Sequence, residues 1–372
     1  MSYFDHSATT PVDPDVLNLL QKVQAEEFGN PSSTHAYGRK ARSRIETARK
    51  QMAAAIGANP LEIIFTGGGS ESNNLVLWNR LYSGKKHVIT TAIEHPAILT
   101  TLKHLKNFGV RSTILPVDRQ GRVSPNDVAR SIELDTGIIS VMLANNEIGT
   151  VEPLAEIGAL AREHGILFHS DAVQALGKLP IRVAELNVDL MSFSAHKFYG
   201  PKGVGALYIR QGIKLNPLII GGGQERRLRA GTENVAGIAA LGLAAEKATA
   251  GYQDHLLTME KEFRALLNAA IPAIQYNGDP EHHLPGLVSL TVSDPTSDIL
   301  LIQLDLQGLA VSSGSACSSG AVKPSHVLQA IGLSAAANQR TLRISFGKDN
   351  TSEEVNALAE AIIRLCTGKA TG

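Results

Sequence analysis

The sequence predicts an α/β protein: a large unit built on a mostly parallel sheet with helices on its faces, plus a smaller α+β unit. Two patterns and one number predict it. Between about residues 60 and 210, short β-branched runs alternate with helical stretches, as in a sheet whose strands are joined by crossing helices. After about residue 250 the rhythm changes to a long helical stretch followed by separated strands. The length of 372 residues fits two domains at roughly 100–200 residues each.

In the alternating region, residues 62–65, 87–91, 110–117, 137–143, 166–169, 190–193 and 204–209 read as strands. Residues 71–82, 96–108, 124–132 and 153–164 read as helices between them. Two of these start on a proline, Pro96 and Pro153, where the missing N–H costs nothing. Ligands bind such sheets at the C-terminal ends of the strands, so the residues just after each strand are the candidates for chemistry. Farther on, residues 255–270 read as a helix, 286–292 as a strand and 296–307 as a helix. A Ser/Gly-rich segment at 312–320 precedes a strand at 340–346 and a closing helix at 352–365.

Composition narrows the function classes. Lys and Arg total 35 and Asp and Glu total 35, so the net charge of zero offers no overall footprint for nucleic acid. The basic stretch Glu225-Arg226-Arg227-Leu228-Arg229 is short, and a solvated or interface loop explains it better than a nucleic-acid site. Hydrophobic residues at 43% and charged residues at 19% exclude a disordered chain. Two cysteines, Cys317 and Cys366, exclude a disulfide-stapled secreted scaffold. The run at 235–245 is too short for the roughly 20 residues that span a bilayer. With no signal peptide evident at Met1-Ser2-Tyr3-Phe4-Asp5-His6, a cytoplasmic setting is expected. No metal-ligand set is read from the sequence.

Five strand ends carry polar residues. Thr66-Gly67-Gly68-Gly69-Ser70-Glu71 runs from a strand into a helix, so its glycines and free N–H groups suit an anion. It equally suits a tight turn in which Ser70 caps the helix. Asp171, in His169-Ser170-Asp171-Ala172-Val173-Gln174, suits a charged ring nitrogen, with Gln174 reaching the same ligand, or else caps a helix. Lys197, in Ser194-Ala195-His196-Lys197, stands in a turn rather than on a charged helix face. It is a candidate nucleophilic amine, set against the common case of a solvated lysine. His95 suits stacking on an aromatic ring or moving a proton, and otherwise is a polar strand-end residue. Asn145, in Ala144-Asn145-Asn146-Glu147, is an amide after a strand or simply part of a turn. Together these ends converge on one anionic, aromatic ligand.

These residues resemble a fold-type I pyridoxal phosphate enzyme of the class V aminotransferase group, and within it the cysteine desulfurases. The resemblance runs over nearly the whole chain. It begins at Tyr3-Phe4-Asp5-His6-Ser7-Ala8-Thr9-Thr10-Pro11 and includes Gly29-Asn30-Pro31-Ser32-Ser33, Arg229-Ala230-Gly231-Thr232 and Leu342-Arg343-Ile344-Ser345. It implies a seven-stranded, mostly parallel sheet in a large domain at 14–253, with 1–13 and 254–372 forming the small one. It implies that Lys197 bonds pyridoxal 5'-phosphate, Asp171 pairs with the ring nitrogen, and His95 stacks on the ring and shuttles protons. Gly69, Ser70, Ser194 and His196 match phosphate contacts, with Thr232 supplied by the neighbouring subunit of a homodimer. Asn145 and Gln174 match residues near the ring hydroxyl. Arg343 matches the arginine that grips the substrate carboxylate, with Asn145 and Asn30 as further substrate contacts.

Cys317 discriminates among the members of the group. A thiol in a Ser/Gly-rich stretch is placed to act as a nucleophile, and its serine neighbours argue against a buried, structural cysteine. The resemblance then implies a desulfurase: sulfur leaves L-cysteine as a persulfide on Cys317, L-alanine is released, and an acceptor such as an iron–sulfur scaffold takes the sulfur. A selenocysteine lyase, a cystine lyase and a transaminase are the nearest alternatives, and the thiol argues against them. A non-catalytic, cofactor-binding partner in sulfur assembly is the alternative of a different class. Cys366 matches no motif and reads as structural or incidental.

Overall fold

The computed structural model describes residues 1–314 and 324–368. The chain opens on a short strand, β1 (Ser2–Tyr3), and two helices, α1 (Pro14–Glu26) and α2 (Ala36–Ile56). The alternating region follows as β2 (Ile63–Thr66), α3 (Gly69–Trp78), β3 (His87–Thr91), α4 (Pro96–Leu105), β4 (Arg111–Leu115) and α5 (Pro125–Arg130). It continues through β5 (Thr136–Ser140), α6 (Leu154–Glu163), β6 (Leu167–Asp171), β7 (Leu190–Ser194) and β8 (Gly205–Ile209).

Among the described residues, seven of these strands form one sheet in the order β2-β8-β7-β6-β5-β3-β4. The pairs from β7 through β6, β5 and β3 to β4 are parallel, and β8 alone runs antiparallel to both its neighbours. Helices cover both faces, so β2, β3, β5, β7 and β8 are buried along their whole length. Their sequences are correspondingly continuous rather than alternating. The edge strand β4 is largely exposed and carries Arg111 in ion pairs to Glu133 and Asp135, a charged edge that discourages further strand pairing. Two histidines, His87 and His169, serve as polar rungs inside the sheet, His87 reaching Thr136 and Thr113. His169 reaches Ser140 and Ser192 across β5, β6 and β7, and burial pushes its pKa down to about 3.

The apolar run at 235–245 becomes α7 (Val235–Ala248), which packs against both α1 and α2. Gly242 permits that approach, because a Cβ there would sit 2.4 Å from the Ala48 Cα. No helix among the described residues is long and apolar enough to cross a membrane.

The second sheet has its own core. After α8 (Gln253–Ala270) come β9 (Gln275–Asn277), β10 (Leu287–Thr291), α9 (Ser297–Asp305), β11 (Leu309–Ala310) and β12 (Ser312–Ser313). Then follow α10 (His326–Ala330), α11 (Ala335–Asn338), β13 (Thr341–Ser345) and α12 (Ser352–Thr367). The antiparallel order is β12-β13-β10-β9. Phe263, Leu290, Leu300, Ile344 and Ile362 share this core with Phe4 from the chain's start. Cys366 packs at its margin, and burial pushes the thiol up to about 11.

The basic stretch after β8 is held from below. Glu225, Arg226 and Arg227 have φ of +42°, +57° and +67°, conformations that cost non-glycine residues roughly 1–3 kcal/mol each. Glu225 fixes them, accepting from Arg49 Nη1 at 2.9 Å, Arg49 Nη2 at 2.7 Å and the Phe65 N–H at 2.8 Å, with both side chains buried. Breaking one half of such a pair strands the other charge. Arg49→Ala is therefore expected to destabilise the protein by about 3–5 kcal/mol in urea unfolding. Arg130→Ala, at an exposed pair with Asp127, should change stability by less than about 1 kcal/mol; equal effects would contradict the assignment.

Candidate active site

A cavity of about 390 Å³ opens where the C-terminal ends of β6 and β7 meet the start of α3, the start of α4 and Arg343 of β13. Lys197, His95, Gly69, Ser70, Asp171, Gln174, Ser194, His196 and Arg343 all line it.

One end is a cradle for an anion. β2 passes through Gly68, whose φ of 149° favours glycine, into α3 at Gly69. A Cβ on Gly69 would lie 2.6 Å from the Val173 Cγ2, so only glycine lets this loop lie against the turn after β6. Ser70 stands inside α3 rather than capping it, and no side chain caps the helix. The first N–H groups of α3 are thus left for a ligand. Ser194 and His196 complete the wall. His196 bonds Thr9 Oγ1 through Nδ1 at 3.1 Å. Burial, with help from Lys197 and Lys202, pushes its pKa down to about 4, so it is neutral.

The centre is built for a ring. Asp171 closes β6 and is held on both oxygens: Asn73 Nδ2 donates at 2.6 Å and the Val173 N–H at 3.0 Å. The carboxylate therefore organises a turn and lines the cavity as well; among the described residues no helix lies between β6 and β7, so the helix-cap alternative falls away. His95 caps α4 by accepting the Ala97 N–H on Nδ1 at 3.1 Å, which places its proton on Nε2. Burial lowers its pKa, Asp171 opposes the shift, and Lys197 and His326 add to it.

Amine and guanidinium come from opposite sides. Lys197 follows β7 and donates to the carbonyls of Ser7 at 2.5 Å and Ala8 at 2.8 Å. Gln174 donates to the same Ser7 carbonyl at 2.8 Å. Arg343 is 2% exposed and donates from Nη2 to Asp5 at 2.8 Å and from Nη1 to the Asn146 carbonyl at 3.0 Å. Among the described residues its buried Nε has no partner, a donor still to be satisfied.

Of the asparagine pair, Asn146 lines the cavity and Asn145 does not. The Asn145 side chain is fully engaged in its own loop, accepting the Glu147 and Ile148 N–H groups and donating to the Ile93 carbonyl. Asn30 lies at the surface and accepts the Ser32 N–H; Thr232 is also exposed, and neither lines the cavity. Cys317 lies outside the described residues. Sequence reasoning missed Asn73, Asp5, Ser7 and Glu147. Asn73 follows Gly69 by one helical turn and so shares its face, a signal that was available.

Three comparisons bear on this geometry. The class V aminotransferase family matches residues 2–358. A cysteine desulfurase IscS of Dictyoglomus turgidum is 45% identical, covering 98% of this chain and 94% of that protein. Among solved structures, a NifS-like protein superposes with a TM-score of 0.92 at 36% identity, covering 99% of both chains. SspA in complex with cysteine superposes at 0.83 and 38% identity, covering 94% of this chain and 100% of that one.

Glu147 offers a test of the cavity's electrostatics. It accepts the Ser325 hydroxyl and lines the wall, and burial pushes its pKa up to about 7, against the opposing pull of Ser325 and Arg343. A raised folded-state pKa stabilises below the unfolded value near 4.5 and loses that stabilisation as pH rises toward 7. Wild-type stability relative to Glu147→Gln should thus fall by up to about 1.4 kcal/mol per pH unit between pH 4.5 and 7. Parallel pH–stability curves would refute the assignment.

Proposed function

The chain belongs to the class V aminotransferase family, and from that premise we propose that it is a pyridoxal phosphate-dependent cysteine desulfurase. It takes sulfur from L-cysteine, releases L-alanine and passes the sulfur to an acceptor. The observation that carries this reading is the meeting of Lys197, Asp171, His95 and Arg343 around one cavity with a glycine cradle at its end.

Those residues fit the cofactor. The capless start of α3, with Gly69, Ser70, Ser194 and His196, would receive the phosphate. Asp171, oriented by Asn73, would pair with the ring nitrogen and keep it protonated. His95, neutral with its proton on Nε2, would lie against the ring. Lys197 supplies the amine that bonds the cofactor. The amide role that the sequence assigned to Asn145 falls more naturally to Asn146, together with Gln174. Thr232 would complete the phosphate site from a second copy of the chain in a homodimer, while Asn30, engaged with Ser32 at the surface, does not line the cavity. When bound, pyridoxal phosphate supplies an electron sink that stabilises negative charge on the carbon next to the substrate's amino group.

This chain's own groups do the rest. Arg343 binds the substrate carboxylate, and its Nε, without a partner among the described residues, is the donor such an anion satisfies. His95 and the Lys197 amine take and return protons beside the substrate. The Cys317 thiolate attacks the substrate sulfur. The S–S bond forms as the carbon–sulfur bond breaks, its electron pair stays on carbon, and a proton completes alanine. The persulfide is then passed on, an iron–sulfur scaffold protein being the acceptor the resemblance favours.

The purified protein should bring a visible absorbance band of bound cofactor and form alanine from L-cysteine in step with transferable sulfur. Cys317→Ser should keep the band and lose the persulfide, and His95→Ala should slow alanine formation by about 10²–10⁴-fold. Arg343→Ala removes a charge-assisted contact worth roughly 1.5–3 kcal/mol, which raises the KM for cysteine by about 10–100-fold. A colourless protein, or persulfide transfer by Cys317→Ser, would overturn the reading.

A further inference from the structure

Behind the cavity lies a second buried lysine that the proposed chemistry leaves unused. Lys178 ends the turn that leaves β6, is 6% exposed, and donates to Gln174 Oε1 at 3.4 Å, a neutral acceptor. The ionised groups that act on it are both cations, Lys197 after β7 and Arg343 on β13, and it in turn acts on His6 of the opening segment. A methionine would fill the same space without the cost of burying an ammonium group. The charge therefore needs a reason.

The hydrogen bonds supply one. An ammonium on one side of Gln174 fixes the amide with its oxygen toward Lys178, so Nε2 turns the other way and donates to the Ser7 carbonyl at 2.8 Å. That carbonyl also accepts from Lys197 Nζ at 2.5 Å. A continuous line of contacts thus runs from Lys178 through Gln174 and Ser7 to the amine proposed to bond the cofactor. Charge acts along the same line. A cation near a lysine disfavours positive charge on it and leaves more of the neutral, nucleophilic amine.

We infer that Lys178 is a positioning residue: it locks the Gln174 amide and, as a cation behind Lys197, favours the uncharged form of the Lys197 nitrogen. The other charged groups around this line are Arg343, held by Asp5, and Asp171, whose negative charge acts on His95. Burial is the largest influence on Lys178 itself and pushes its pKa down to about 7, with Lys197 and Arg343 adding to the shift. A bound anion would counter those two cations and favour the charged form of Lys178.

This inference rests on the cofactor reading, and the test separates the two. The holoenzyme's visible band is titrated with pH, without substrate, in wild type, Lys178→Met and Lys178→Arg, with thermal unfolding followed alongside. Lys178→Met should raise the pH midpoint of the band by about one unit, the order of shift a neighbouring like charge produces. Lys178→Arg, which keeps the charge, should restore the midpoint to within about 0.3 units of wild type. Where Lys178→Met does not fold, Lys178→Gln gives the neutral comparison. An unmoved or lowered midpoint in a folded neutral variant overturns the role of Lys178 and leaves the cofactor reading standing. A wild-type protein with no visible band overturns both.

Discussion

Everything at the site depends on where the first ten residues run. Neither sheet alone holds the whole set of side chains: Lys197, Asp171 and Gln174 leave the large sheet, and Arg343 stands on the second one. The opening segment clasps the two. Phe4 is buried in the second core, β1 pairs with β11, and Asp5 forms a bridge to Ser345 and an ion pair with Arg343. Two residues on, the carbonyls of Ser7 and Ala8 receive Lys197 and Gln174. Tyr3 shapes the turn between, donating to the Asp5 and Thr9 carbonyls at 2.9 and 3.0 Å. Asp13 repeats the theme farther along, accepting both Lys247 and Lys348, which help hold it down near about 2 against the cost of its burial. Fixing a backbone carbonyl fixes an amine, so the clasp sets the cavity's geometry as much as its closure.

The cavity is also a place where charge is managed under low dielectric. The Arg343 guanidinium brings positive charge to a region that also holds the amines of Lys197 and Lys178, opposed by Asp5 and Asp171. Burial lowers the pKa of both His95 and His196, and the start of α3 adds its positive end. A site so arranged favours an anion, and a phosphate and a carboxylate are the anions that its two ends suit. The parallel sheet is what makes this possible, since it delivers several strand ends to one edge.

Much of the fold was legible because strand runs buried on both faces are continuous and β-branched; His87–Thr91, for one, begins and ends as the sequence indicates. The helices packed onto the outside of that region were not. In α7, small residues are buried almost all round and leave no polar stripe to mark a helix. In α2 the stripe exists but charges interrupt it, and the helix is recognisable mainly once α7 is seen lying on it. At the site, residue types and motifs named most of the cavity's lining, yet spacing alone does not tell two adjacent amides apart. Asn146 lines the cavity and Asn145 does not, because the Asn145 side chain closes its own loop. Asp5 and Ser7 were missed for a different reason: they act through backbone carbonyls or through another side chain, and neither leaves a mark in sequence.

The central claim is that Lys197 is the amine at which this enzyme holds its cofactor. Borohydride reduction of the purified protein followed by peptide mass mapping tests it most directly. The account predicts the added mass of reduced pyridoxal phosphate on the peptide containing Lys197, and its loss in Lys197→Ala. Modification of another lysine in the wild-type protein, Lys178 above all, or no stable modification at all, would contradict it.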